Sequence, residues 1–315
     1  MREPVAITGL GTYLPRLMHD NQTLPPLDEP ATAEEIARIG VMRRGWAGDG
    51  EGIAEMAAQA AARALERAGT RAAELDAVIL SNWTQRRFIP EFAPRLLELL
   101  GASRAFGFDI CCACAGLLYG VGLASELLQQ PRYTRALVVA SETTSQRARP
   151  GSKGTLILGD GAGAFVLERG ERAGAGRLID YELATAGEHH AIMDISPEGW
   201  VRTHIEQRAL AELASRTIAE VSGRVLARSG VTLADVRWVI PHSGTAGVQA
   251  AIARRLELPA GRILTNFADV GNVSSASIPV ALEHFQRAGQ VRPGDLVLSA
   301  AVGTGWYAAA ALYTV

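Results

Sequence analysis

The chain alternates short unbroken apolar runs of strand length with longer segments whose apolar residues recur every three to four positions. Pro4 to Leu10 is the first such run and ends at Gly11. Met18 to Glu34 is rich in Pro, Asp and Asn without a steady period, so it reads as a loop and a place for a lid or entrance. Glu51 to Gly69 sets Ile53, Met56, Ala57, Ala60, Ala64 and Leu65 on one stripe, which predicts an amphipathic helix closed by a glycine. Leu75 to Ser81 is apolar throughout and predicts a strand covered on both faces. A helix over Pro90 to Leu100, a strand over Ala105 to Ile110 and a helix from Ala115 through Leu128 follow. Arg135 to Ser141 is a further strand, and GDGAGAFVLE, Gly159 to Glu168, is a glycine-rich turn entering another.

The pattern then starts again. Ala64 to Leu80 and Val225 to Pro241 align without a gap at an offset of 161 residues (226 minus 65), each reading as helix, turn and strand. Ala246 to Leu256 is the next helix, Ile263 to Phe267 the next strand, and VGTGWYAAAALYTV the counterpart of GDGAGAFVLE. This order predicts a duplicated α/β fold with one half over residues 1–170 and the other over 171–315. Mostly parallel strands place helices on both sheet faces and gather sites at the carboxyl ends of strands.

Composition narrows the classes. A net charge of -2 over 315 residues gives no electrostatic footprint for nucleic acid or for an anionic membrane surface. No apolar run reaches membrane-spanning length, and MREPVAITGLG passes directly into a strand, so the expected location is cytoplasmic. There the three cysteines would stay reduced. Cys111, Cys112 and Cys114 are too crowded for a closed tetrahedral metal site, and no paired Cys or His follows at finger-like spacing, so no metal is expected.

Candidate chemistry collects at strand ends. Cys114 stands where the Ala105 to Ile110 strand runs into a helix, a position at which orphan N–H groups and the helix dipole favour a thiolate nucleophile. Cys111 and Cys112 read as packing. The strand Val236 to Ile240 ends at Pro241-His242, and Asn272 lies in DVGNVSSAS beyond the strand of Ile263 to Phe267. A thiol, an imidazole and an amide thus come from three strand ends. His189 and His190 fall in a polar loop, and His204 and His284 on predicted helices, so these four read as structural.

These motifs, in this order, resemble the β-ketoacyl-acyl carrier protein synthase III family of the thiolase-like superfamily. The resemblance runs from AITGLGTYLPR through IGVMRR, FDICCACAG, GTLILGDGAGAFVLE, VIPH and GNVSSASIPVALE to GTGWYAAAAL. It implies a five-layered αβαβα arrangement of two pseudo-symmetric halves, built as a homodimer. It also implies that Cys114 is the acylated nucleophile and that His242 and Asn272 are the other catalytic residues. Val302 and Gly303 would lie by the oxyanion, Arg38 matches an arginine of the family's adenine site, and Phe88 would shape the acyl pocket across the dimer. The substrates implied are acyl thioesters of coenzyme A or acyl carrier protein, with no other cofactor. The chain departs from the family in HSGTAGVQ, where Ser243 and Gly247 replace the usual glutamine and arginine near the substrate phosphates. It departs again at Glu34, near the place of a usual tryptophan.

Three activities fit this reading. The first is decarboxylative condensation of an acyl-cysteine with a malonyl thioester. The second is acyl transfer to an alcohol or amine in specialised metabolism, for which Cys114 and His242 suffice. The third is a non-catalytic partner of a true synthase.

Overall fold

The computed structural model describes residues 2–242, 244–259 and 261–315. In the first half β1 (Val5–Tyr13) is followed by the small antiparallel pair β2 (Leu17–Asp20) and β3 (Arg43–Trp46), which brackets α1 (Ala33–Ile39). Next come α2 (Ile53–Ala68), β4 (Ala77–Ser81), α3 (Ala93–Leu100), β5 (Phe106–Ile110), α4 (Gly116–Leu127), β6 (Arg135–Glu142) and β7 (Gly161–Arg169). The second half opens with β8 (Gly176–Thr185), a hairpin of β9 (Met193–Ile195) and β10 (Val201–Thr203), and the long α5 (Gln207–Ser229). It closes with β11 (Trp238–Pro241), α6 (Ala246–Arg255), α7 (Phe267–Val270), α8 (Ser277–Arg287), β12 (Leu296–Gly303) and β13 (Tyr307–Thr314).

Nine strands hydrogen-bond in the order β11-β12-β13-β8-β1-β7-β6-β4-β5. The two halves meet at β1 and β8, where only Val5, Ala6 and Ile7 pair with Leu178, Arg177 and Gly176. Alternation along the strands separates the layers. In β4, Val78 and Leu80 join the apolar cluster of α2 and α3, whereas Ala77 and Ile79 join the cluster that holds α4 and α8. In β13, Ala309, Ala311 and Tyr313 face that same central cluster, and Ala308, Ala310 and Leu312 face the side of α5. This gives the expected five layers, with α4 and α8 between the sheet halves. Every residue of β4 is buried because helices cover both of its faces.

The central layer needs close approach. A methyl group added at Gly120 would stand 2.6 Å from Val138 of β6, and one at Gly122 would stand 2.9 Å from Tyr181 of β8. Glycine there lets α4 touch both halves.

The 161-residue offset extends beyond the segments that first display it. β4 and β11 start at 77 and 238, α4 and α8 at 116 and 277, and β6 and β12 at 135 and 296, each pair 161 apart. The turns before the central helices share it too. Ala113 (φ 44°) and Ser274 (φ 50°) are both non-glycine residues in the left-handed region, 161 positions apart.

Several expected boundaries move. β1 continues past Gly11 to Tyr13 because β7 pairs with it along that length. α3 starts at Ala93 rather than Pro90, where the Asp109 carboxylate accepts from the Ala93 N–H (2.8 Å) and so caps the helix. The Met18 to Glu34 loop begins inside β2 and ends in α1, whose Thr32 and Glu35 form a capping box. The strand expected at Ile263 to Phe267 does not form. Only Ile263 bridges to Val239, and Phe267 already opens α7. His204 is not on a helix; it follows β10 and contacts Asp194 at 3.2 Å. No helix among the described residues is long and apolar enough to cross a membrane.

Candidate active site

Cys114 sits in a single 3-10 turn, Ala113–Ala115, between β5 and α4. The left-handed backbone of Ala113 costs on the order of 1 kcal/mol and turns the next residue toward the second half. Gly303, the last residue of β12, closes on this turn. A Cβ there would lie 2.6 Å from the Cys114 backbone nitrogen and 2.8 Å from the Ala113 Cβ, so the two backbones meet without a side chain between them.

The other half supplies the imidazole and the amide. The His242 N–H donates to Ala300 of β12 (2.9 Å), which fixes it just past the end of β11. Asn272 follows α7 and is tied through its backbone to Ile157, Gly159 and the Thr144 hydroxyl. Its Oδ1 accepts from the Ser274 N–H at 2.9 Å, so its Nδ2 is the end left to donate. The His242 Nδ1 lies 3.2 Å from the Ser277 hydroxyl. With that hydroxyl as donor, the proton of the neutral ring sits on Nε2. A Cβ at Gly244 would lie 2.7 Å from Asn272 Nδ2 and 3.7 Å from His242 Nε2, so the absence of a side chain there lets the amide approach the backbone beside the imidazole.

Cys114, His242 and Asn272 line the inner wall of one cavity of about 1020 Å³, together with Val302 and Gly303. Arg38, Arg149, Arg208 and Arg254, all exposed, line its outer part. The β9–β10 hairpin adds Met193, Val201 and Thr203. Phe88 is fully exposed and does not reach this cavity. Ser243 lies outside the described residues.

Burial dominates the electrostatics. It pushes the Cys114 thiol up, against the opposing hydrogen bonds of Ser274 and of its own backbone. The direction is opposite to the one expected from the helix terminus, because loss of water outweighs those hydrogen bonds. Burial also holds His242 down, to about 4, against the smaller opposing pull of Glu142 and of the Ser274 backbone. The imidazole is neutral at ordinary pH.

Four residues beside the site escape a reading of the sequence alone. Ser274 donates to Cys114 Sγ at 3.3 Å, and the Trp83 indole N–H donates to Ser274 Oγ at 2.7 Å. Ser277 touches His242. The offset of 161 from Ala113 and Gly116 would have pointed to Ser274 and Ser277. Glu142, the acid at the carboxyl end of the largely buried strand β6, is the fourth. It accepts from Ser275 Oγ (2.7 Å), from Thr84 Oγ1 (3.0 Å) and from the Trp83 N–H (3.2 Å). Burial pushes it up to about 8.

A stability effect follows from Glu142. The folded chain keeps this proton up to about pH 8, whereas a free glutamate loses it near 4.5. Its contribution is thus fully present below pH 4.5 and declines by about 1.4 kcal/mol per pH unit as pH rises toward 8. Glu142→Gln mimics the protonated acid, so its thermal unfolding should match the parent at pH 5 and exceed it at pH 8. A variant less stable by the same margin at both pH values would mean that the carboxylate is ionised in the folded chain.

The chain matches two family models, one in its middle and one at its C-terminal end. The 3-oxoacyl-[acyl-carrier-protein (ACP)] synthase III family matches residues 108–187, and its C-terminal family matches residues 226–315. The β-ketoacyl-[acyl-carrier-protein] synthase III of Hyphomonas neptunium is 33% identical over 98% of each chain. Among solved structures, the 3-oxoacyl-[acyl-carrier-protein] synthase III of Aquifex aeolicus superposes with a TM-score of 0.91 at 31% identity, covering 99% of this chain and 100% of that one. The enzyme of Pseudomonas aeruginosa does so with a TM-score of 0.90 at 33% identity, covering 99% of this chain and 98% of that one. The thiolase-like layers, the duplicated elements and these likenesses along the whole chain establish that it belongs to the β-ketoacyl-acyl carrier protein synthase III family of condensing enzymes.

Proposed function

We propose that the chain catalyses decarboxylative condensation, with Cys114 as nucleophile and His242 and Asn272 as paired hydrogen-bond donors. The observation that carries this reading is the single cavity that Cys114, His242 and Asn272 line together. Cys114 attacks an acyl thioester, the Sγ–C bond forms, and the donor sulfur leaves with the thiol proton. The N–H groups of Cys114 and Gly303 stabilise the oxyanion. A malonyl thioester then places its carbonyl oxygen between the two nitrogens. As CO2 departs, charge develops on that oxygen, and neutral donors stabilise it without adding a full positive charge. The enolate carbon attacks the acyl carbonyl, Sγ leaves as thiolate, and water returns its proton.

The exposed arginines of the outer cavity suit the phosphate of a coenzyme A or carrier-protein thioester. Acyl carrier protein is accordingly the proposed partner, and no cofactor beyond the substrate's own phosphopantetheine is invoked. A homodimer is supported by the edge strand β5, whose exposed Phe106 and Phe108 stack at 6.4 Å, and by the exposed Phe88 and Ile89. Chemistry through a free thiol fits a cytoplasmic setting.

The test is CO2 release from malonyl carrier protein after acyl loading. Asn272→Ala should lower release by about 10²–10³ while the acyl adduct still forms. Undiminished CO2 release would remove Asn272 from the mechanism. An adduct that persists until an alcohol or amine is supplied would establish transfer instead, and no adduct from any donor would leave the non-catalytic partner.

A further inference from the structure

The side of Cys114 away from Gly303 is closed by a chain of hydrogen bonds that the condensation scheme does not use. Its geometry has one direction. An indole N–H can only donate, so Trp83 Nε1 gives its proton to Ser274 Oγ, 2.7 Å away. The hydroxyl proton of Ser274 is left for its other neighbour, Cys114 Sγ, at 3.3 Å. The chain is anchored at both ends. Asn272 Oδ1 holds the Ser274 N–H in the left-handed turn, and Glu142 accepts the Trp83 N–H and the Thr84 hydroxyl, fixing the loop that carries the indole.

We propose that Ser274 is a further catalytic residue, with Trp83 as its positioning residue: the indole locks the serine hydroxyl as a donor to Cys114 Sγ whenever that sulfur carries negative charge. Charge reaches Sγ twice. It is there as the thiol loses its proton and attacks the donor thioester. It returns when the new carbon–carbon bond forms, the C–Sγ bond breaks and the sulfur departs with the electron pair, before water reprotonates it. A hydrogen bond that strengthens with charge favours both events. It also opposes the burial that disfavours the thiolate. The inference rests on the proposed role of Cys114, and its test is independent of condensation.

The measurement is the rate of iodoacetamide alkylation at Cys114 against pH on the full chain, read by fragment-ion mass spectrometry to separate it from Cys111 and Cys112. The other titratable groups by the thiol are Glu142 at the end of β6, His242 beyond β11 and Cys112, and the variants leave all three in place. A hydrogen bond to a charged partner contributes about 1.5–3 kcal/mol, so Ser274→Ala should raise the alkylation midpoint by about 1–2 pH units. Acylation at neutral pH should slow ten- to a hundredfold. Trp83→Phe keeps the ring and loses the donor, so its midpoint should move the same way by a smaller step. It also serves as the test if Ser274→Ala does not fold. An unchanged midpoint in a folded variant would overturn the inference. If the midpoint moves but no acyl thioester labels Cys114, the hydrogen-bond chain stands and the synthase reading falls.

Discussion

Cys114→Ala should give no mass gain from any acyl thioester, yet it should still release CO2 from malonyl carrier protein. The first half of this result follows from the inner wall, where Cys114 supplies the thiol among the residues facing the cavity. Alanine has no nucleophile, and loss of a covalent route costs several orders of magnitude in rate. The second half follows from where the parts sit. His242 and Asn272 come from the other half of the chain and hold their positions through backbone groups of Ala300, Ile157 and Ser274, and of these residues only Ser274 touches the sulfur, through its hydroxyl and not through the N–H that Asn272 holds. Decarboxylation should therefore continue without coupling, at a rate set by how well the malonyl group is held. Intact-mass spectrometry and a CO2 assay on the same preparation decide it. An adduct surviving in the variant would place the nucleophile elsewhere, Cys112 first, whereas loss of both signals would mean that the sulfur also organises the donor pair.

Gly303→Ala should cut the rate of acyl-enzyme formation by about 10²–10³, the usual effect of removing one oxyanion donor. The added methyl group would meet the Cys114 nitrogen at 2.6 Å, the Ala113 Cβ at 2.8 Å and the Cys112 oxygen at 3.1 Å. Two of these are backbone atoms of the turn that carries the nucleophile, so neither can move without moving Cys114. The methyl group would crowd the Cys114 N–H, one of the two donors proposed for the oxyanion. Alkylation by iodoacetamide passes through no oxyanion, so it should change far less than acylation. Stopped-flow acylation compared with alkylation separates the two, and equal losses would point to a displaced thiol instead.

The repeat of elements, the turn that carries Cys114 between β5 and α4, and the end of β11 that carries His242 were legible in the sequence because each depends on periodicity or on residue order, whereas Asn272 follows the short helix α7 and not the strand expected before it. The hydrogen-bond chain from Trp83 to Cys114 was not, since its members lie far apart in the chain and serine in a glycine-rich turn has many ordinary uses. Trp83 lies only five residues before Phe88, yet it turns inward to Ser274 while Phe88 faces solvent. The missing strand at Ile263 has a local cause. Val239 exchanges two hydrogen bonds with Arg262 and Leu264, and then Asn266 begins the turn into α7, so pairing stops after one bridge. The Cys114 thiol is pushed up rather than down for a reason composition cannot supply, because burial depends on what the second half packs against it.

The central layer has a consequence for which parts of this chain can vary. Cys114 sits in the turn that leads into α4, and His242 and Asn272 sit on the other half, so the gap between them is set by how closely the halves seat on α4 and α8. The Gly120 and Gly122 contacts with Val138 and Tyr181 fix that seating well away from the cavity. A side chain added there wedges the halves apart and changes the spacing of the reacting groups without touching any of them. Activity should therefore respond to the interior, and drift in such a lineage should be freest on the outer face of α2 and slowest at buried small residues remote from the substrate.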